Sequence, residues 1–271
     1  MSSGCEQTET QGAVKRARQA ANKARLAAAA KAYRQTLVRE IFAQPVRDCA
    51  YRCIGRPVDV LRAGCLTPLD EIGLDQLRKS GFEIVVATVD DARWAAKGQR
   101  ARGEVIRGDL RTAAIMPRSF DIVHCSLLLD RISHAELVLD RFTAALRPGG
   151  LLLLRIRDRD CAAGLLDRLL PQWVRRALWD RLNPGRPGPF PAVYEPASSD
   201  RGIGAYVQLR GLAIVQRETA KTPPAVASRA GQAVSAAHSL ISRLTRNRLT
   251  DAHEEVLYVI RKPEDRLARI L

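Results

Sequence analysis

The sequence contains no CxxC pair. Its six cysteines, Cys5, Cys49, Cys53, Cys65, Cys125 and Cys161, are scattered along the chain, which provides neither the ligand spacing of a structural zinc site nor a disulfide framework. Reduced thiols, and so a cytoplasmic protein, are the expectation. Cys49 and Cys53 stand four apart on a predicted helix with no third ligand nearby, so they read as small residues packing on a core. The N-terminus lacks the apolar stretch of a secretory signal. Apolar runs such as Leu151–Leu154 fall far short of the roughly 20 residues of a membrane span. Lysine is scarce: of the 44 Lys and Arg residues, 7 are Lys and 37 are Arg. The formal net charge of +15 invites a nucleic-acid or anionic-membrane reading, because clustered cations release counterions from phosphates. These arginines are instead spread over the whole chain among frequent Ala, Leu, Gly and Pro, a bias that GC-rich coding produces by itself, so no nucleic-acid partner is expected.

What is present is enough apolar sequence for one main core: 271 residues, 46% of them hydrophobic. Residues 1–32 are read as a disordered or exposed basic segment, helical from Gly12 to Ala32, with Ala alternating among Lys, Arg, Gln and Asn. Residues 33–56 form a helical extension whose apolar face (Leu37, Val38, Ile41, Phe42, Val46, Cys49, Ala50, Cys53) breaks near Pro45 into two short helices. From there strands alternate with helices. The strands are Val58–Ala63, Phe82–Val89, Glu104–Arg107, Asp121–Cys125 and Leu151–Ile156, with helices predicted over Pro68–Ser80 and Glu136–Leu146. Unbroken apolar strands in this alternation imply a parallel sheet covered on both faces with right-handed crossovers. Residues 57–157 would be the core. Residues 158–204 would be a helical, Pro/Gly-rich lid or substrate segment, including the run Asn183–Pro196 that cannot enter a helix or sheet. Residues 205–271 would complete the sheet with strands Leu212–Glu218 and Glu255–Arg261 around a helix Ala225–Arg246.

The phrases GDL (Gly108–Leu110), SFDIV (Ser119–Val123) and LRPGG (Leu146–Gly150), in that order within seven strands, resemble a class I S-adenosylmethionine (SAM) dependent methyltransferase, of the broad group that modifies small molecules and sugars. The resemblance covers about residues 57–262. It implies an α/β, Rossmann-like seven-stranded methyltransferase fold, with a mostly parallel sheet, helices on both faces and an N-terminal helical extension. SAM would lie across the C-terminal ends of the first strands, at the switch point of the sheet. By the same resemblance, Asp90 matches the acid that accepts the ribose hydroxyls, with Asp91 beside it. Asp109 matches the acid that accepts the adenine amino group, with the Leu110 backbone beside it, and Ser126 is counted with the cofactor-binding set. The acceptor would be a small molecule.

The first-strand turn departs from the family pattern. Where the family has an acid for the methionine ammonium, this chain has Arg62, which is counted with the cofactor-binding set and is read either as binding the ligand carboxylate or as pointing away. Gly64 is retained, but Leu66 and Pro68 replace later glycines. Thr67, Pro68 and Asp70 read as a helix start, placing Asp70 and Glu71 on a helix N-terminus that would otherwise attract a ligand carboxylate. Methyl transfer asks little of side chains beyond alignment, so catalytic residues are not legible. His124 and His134 are the candidate bases near the cleft, with Tyr194 and Glu195 on the lid. Two alternatives stay open: a methyltransferase-like protein that has lost SAM binding and serves as a partner or regulatory subunit, and a nucleic-acid or membrane binder acting through its basic N-terminus. The sequence is silent on oligomeric state.

Overall fold

Seven strands pair in the order β3-β2-β1-β4-β5-β7-β6 in the computed structural model. It describes residues 35–64, 67–91, 104–182, 190–220 and 254–264, with isolated helical or turn positions outside those ranges. The expected helices Gly12–Ala32 and Ala225–Arg246 lie largely outside the described residues. The strands are β1 (Val58–Ala63), β2 (Ile84–Asp90), β3 (Glu104–Arg107), β4 (Phe120–Ser126), β5 (Leu146–Arg157), β6 (Ala213–Ala220) and β7 (Glu255–Arg261). Strands β1 to β5 pair in parallel, and β7 runs antiparallel to both of its neighbours, β5 and β6. The expected α/β, mostly parallel Rossmann-like sheet is therefore present. Its order reverses between β1 and β4, the position at which open α/β sheets form a ligand crevice beyond their strand C-termini.

Strand alternation divides the core in two. On one face Leu61, Ala63, Val123, Cys125, Leu152, Leu154 and Tyr258 pack against α3 (Ala135–Ala145) and α6 (Asp200–Leu209). On the other, Val58, Val60, Ile122, Leu151, Leu153 and Val259 pack against α1 (residues 35–52) and α2 (Leu74–Lys79). Helix α1 runs without interruption through Pro45, where two helices were expected. A proline inside a helix costs about 3 kcal/mol. Val38, Phe42, Val46 and Ala50 are buried on both sides of it, and each large apolar side chain returns roughly 1.5–3 kcal/mol. The sum favours the continuous helix.

The helix expected from Pro68 to Ser80 is also different. A single 3-10 turn, Asp70–Ile72, precedes Gly73, which adopts φ 71°, and α2 begins only at Leu74. Thr67 does not cap it. Its hydroxyl donates to the Ala63 carbonyl at 2.5 Å and accepts from the Ser126 amide at 3.3 Å. With the left-handed turn at Gly73, Glu71 lies buried in the 3-10 turn and not on the expected helix N-terminus.

Candidate functional site

The C-terminal end of β1 holds a tight turn. Gly64 adopts φ 78°, its amide donates to the Val89 carbonyl at 3.0 Å, and a side chain there would press on Leu128. This is a position that favours glycine. Across from it β2 ends at Asp90, whose side chain lies outside the described set, and the adjacent Asp91 is buried. Arg62, half-buried, sits one pair earlier and donates from Nε to the Thr88 hydroxyl at 3.1 Å. It is turned along the sheet toward β2.

Asp109 follows β3 and is clamped by the residue two positions later. The Arg111 amide donates to Asp109 Oδ1 at 2.9 Å, Nη2 reaches Oδ2 at 2.5 Å, and Nη1 reaches the Ser133 hydroxyl at 3.0 Å. Both carboxylate and guanidinium are about one quarter exposed. Arg111 Nε also donates to both carboxylate oxygens, at 3.0 and 2.9 Å, so a ligand that uses Asp109 must displace a bidentate guanidinium. Leu110 is fully buried beside it.

Ser126 and His124 point to the α1 face. The His124 ring is enclosed edge-on against Phe42, with centroids 5.8 Å apart, and its Nε2 stands 3.5 Å from Glu71 Oε2. Glu71 in turn pairs with Arg155 Nη1, and Arg155 donates from Nε to Glu255 Oε2 at 2.8 Å. All four side chains are buried. Burial by itself would raise the Glu71 carboxyl, but His124 and Arg155 outweigh it and hold the group below its ordinary value. Glu71 is thus a neutralised internal charge and presents no anion to a ligand, contrary to its expected place on an exposed helix end. His124 belongs to this internal cluster. His134 is exposed, with φ 60°, immediately before α3.

A second buried cluster closes the sheet edge beyond β4 and β5. Asp167 of α4 (Ala162–Leu169) accepts from Tyr194 OH at 3.0 Å. Arg131 Nη1 lies 2.8 Å from it, Arg175 Nε 3.2 Å and Arg157 Nη1 3.6 Å. Arg175 belongs to α5 (Gln172–Leu182). Burial would raise the Asp167 carboxyl, but the arginines and the Tyr194 hydroxyl outweigh it and hold the group low. The amides of Val193 and Tyr194 both donate to the Asp130 carbonyl at 3.1 Å. Glu195 takes the N-terminus of α3, its carboxylate accepting from the His134 and Ala135 amides at 2.8 and 2.9 Å. Tyr194 and Glu195, expected on a surface lid, are therefore a buried plug and a helix cap. The reason is that the orphan N–H groups of α3 and the buried Asp167 both need partners. A cavity of about 350 Å³ between α1 and α2, lined by Arg47, Tyr51, Leu77 and Phe82 among others, lies on the helical face away from this edge.

Sequence reading missed Arg111, the Glu71–Arg155–Glu255 cluster and the Asp167 cluster. A signal existed for two of them: Arg155 and Arg157 interrupt an otherwise apolar strand, and a charge in a strand covered on both faces must be paired. Among the described residues no group of His, Cys, Asp or Glu is arranged to hold a metal ion, and no helix is long and apolar enough to cross a membrane.

A seven-stranded sheet whose glycine turn after β1 and acidic end of β2 lie side by side, next to the switch point between β1 and β4, has the form of a Rossmann-like ligand-binding domain. Comparison narrows the class. Residues 37–191 match the model of a methyltransferase domain family, which spans more than half of the chain, so the chain belongs to that family. It is a methyltransferase by descent. Among solved structures, the fold is similar to loganic acid methyltransferase with S-adenosylhomocysteine, at 14% identity over 90% of this chain and 94% of that one, with a TM-score of 0.47. It is also similar to an S-adenosylmethionine dependent methyltransferase from Mesorhizobium loti, at 17% identity over 76% and 91% of the two chains, with a TM-score of 0.44. No curated protein sequence matches the chain.

Proposed function

We propose that this chain is a SAM-dependent methyltransferase acting on a small-molecule acceptor. The observation that carries the reading is the left-handed Gly64 turn at the end of β1, hydrogen-bonded to the end of β2 where Asp90 and Asp91 stand. In this reading Gly64 lets the backbone approach the methionine portion, Asp90 and Asp91 serve the ribose hydroxyls, and Asp109 with the Leu110 backbone serves the adenine. Ser126 lies next to the same turn through its amide contact with Thr67. SAM, when bound, supplies the electrophilic methyl group. The chain's own part is to bind, orient and exclude water, and the buried Asp167 cluster fixes the wall of the acceptor side.

Arg62 does not fit the usual partner of the methionine ammonium, and Arg111 already occupies Asp109. These two observations favour a second reading, a methyltransferase-like protein that no longer binds SAM and acts as a partner or regulatory subunit. Calorimetric titration with S-adenosylhomocysteine separates the two. The first reading expects saturable heat that weakens at least about tenfold in Asp90→Ala, the size of a lost hydrogen-bonded carboxylate. An absence of heat at millimolar ligand would sink it and leave the second.

A further inference from the structure

Helix α4 and the described first half of α5 each turn a charged residue inward and apolar residues outward. In α4 the buried residues are Ala162, Gly164 and Asp167, while Leu165 and Leu166 are half-exposed and Leu169 is 68% exposed. Across the turn at Pro171 the arrangement repeats: Arg175 is buried, and Trp173 is 74% exposed. Single exposed apolar residues need no explanation, but a hairpin that buries an aspartate and an arginine while turning leucines and a tryptophan outward does. The Asp167 cluster explains how this orientation is held. Three arginines and the Tyr194 hydroxyl converge on that carboxylate, and rotating α4 to bury its leucines would withdraw the anion they share.

The outward face has a consistent charge. Among the described side chains of residues 159–177, Arg159, Arg168 and Arg176 are half-exposed or exposed, and Asp160 is the one acid that is not buried. Two copies of this face would repel each other, whereas an anionic surface complements it. We propose that the α4–α5 hairpin docks the protein on an anionic lipid bilayer. Leu169 and Trp173 enter the boundary between headgroups and acyl chains, and Arg168 and Arg176 meet the phosphates. An amphipathic helical face with apolar anchors and flanking cations is what such interfacial binding uses. Docking here does not depend on whether SAM is bound.

Flotation of the full chain with vesicles tests this. Wild type is expected to float with vesicles of phosphatidylcholine mixed with phosphatidylglycerol, and to stay behind with phosphatidylcholine alone or at high salt. The double variant L169Q/W173Q, whose circular dichroism should match wild type because both side chains face solvent, is expected to bind at least about tenfold more weakly. R168Q/R176Q should lose the preference for anionic lipid. In W173F flotation should persist while the vesicle-induced blue shift of tryptophan emission shrinks. Wild type that never floats would overturn the proposal. So would L169Q/W173Q floating as wild type does, which would place the contact elsewhere in this basic chain. Sedimentation velocity supplies a third opposing outcome: self-association abolished by L169Q/W173Q, without vesicle binding, would make the face a contact between copies.

Discussion

Arg155 shows how much one side chain organises here. It lies in β5 between leucines and an isoleucine, and joins Glu71 from the turn after β1 to Glu255 at the start of β7. Arg155→Met removes the cation that bridges two buried carboxylates. Breaking a buried ion pair in this way costs about 3–5 kcal/mol, so the urea midpoint should fall accordingly, and Glu71→Gln in the same chain should recover part of the loss. An unchanged midpoint would mean that the cluster contributes nothing. The presence of an internal partner for Arg155 was legible in the sequence, since no charge stands alone in a strand covered on both faces. Its identity was not. Glu71 lies 84 residues away, and the sequence around it carries the stronger local pattern of a helix start. The misreading of Asp70 and Glu71 has one physical cause: the left-handed Gly73 interrupts that helix, and tertiary pairing outweighed local propensity. Arg111 escaped notice for a different reason. Asp109 and Arg111 lie in the turn that follows β3, where neither helical nor strand periodicity operates to announce a pair.

Among the elements, α6 offers a contrast within four residues. Gly202 packs so closely on the carbonyl of Pro196 that a methyl group has no room, whereas nothing lies within 4 Å of the corresponding position at Gly204. Gly202→Ala should therefore destabilise by about 1–3 kcal/mol or more through overpacking, while Gly204→Ala should stabilise by roughly 0.5–1 kcal/mol through helix propensity. Chemical denaturation of the two variants checks both signs at once. Similar destabilisation by both would show that the 3-10 turn Pro196–Ser198 does not sit against α6 as described. The close approach is useful to the fold because it fixes the end of the 190–195 segment, whose Glu195 caps α3. Most strands were legible as apolar runs between turn signals, but β5 begins at Leu146 rather than Leu151, because its first residues extend the strand through Pro148 and Gly149. Helix α1 was split wrongly because a proline signal is local and its packing is not. The plug at Tyr194 was invisible because a Pro/Gly-rich run reads as surface loop, and only the buried Asp167 carboxylate and the Asp130 carbonyl of the folded chain draw it inward.

At the scale of the whole molecule, the carboxyls of Glu71, Asp121 and Asp167 are all held below their ordinary values. In Asp121, burial alone would raise the group. Arg56, at 2.6 and 2.7 Å, together with the Asp59 amide at 3.0 Å and Arg147 at 2.8 Å, outweighs it. A carboxyl lowered on folding contributes stability that is fully present above its unfolded value and is lost as pH falls through the folded one. The unfolding temperature should accordingly be flat near neutrality and drop below about pH 4.5. Asp121→Asn should lower it at neutral pH and flatten the acid limb, and an unaltered limb would exclude Asp121 from the effect. The fold class was legible at this scale because order and spacing of strands survive even where the ligand turn has diverged.

The place of β7 between β5 and β6 has a kinetic consequence. Among the described strands the one that completes the interior of the sheet follows all the others in sequence, so during folding the Leu151–Leu154 edge of β5 stays bare until Glu255–Arg261 arrives. A sheet that must keep a slot open for a partner 100 residues away, the separation of Arg155 from Glu255, folds slowly. Meanwhile it exposes an apolar template for strands of other molecules. Yield on refolding should thus depend on protein concentration more than the stability of the finished fold would suggest.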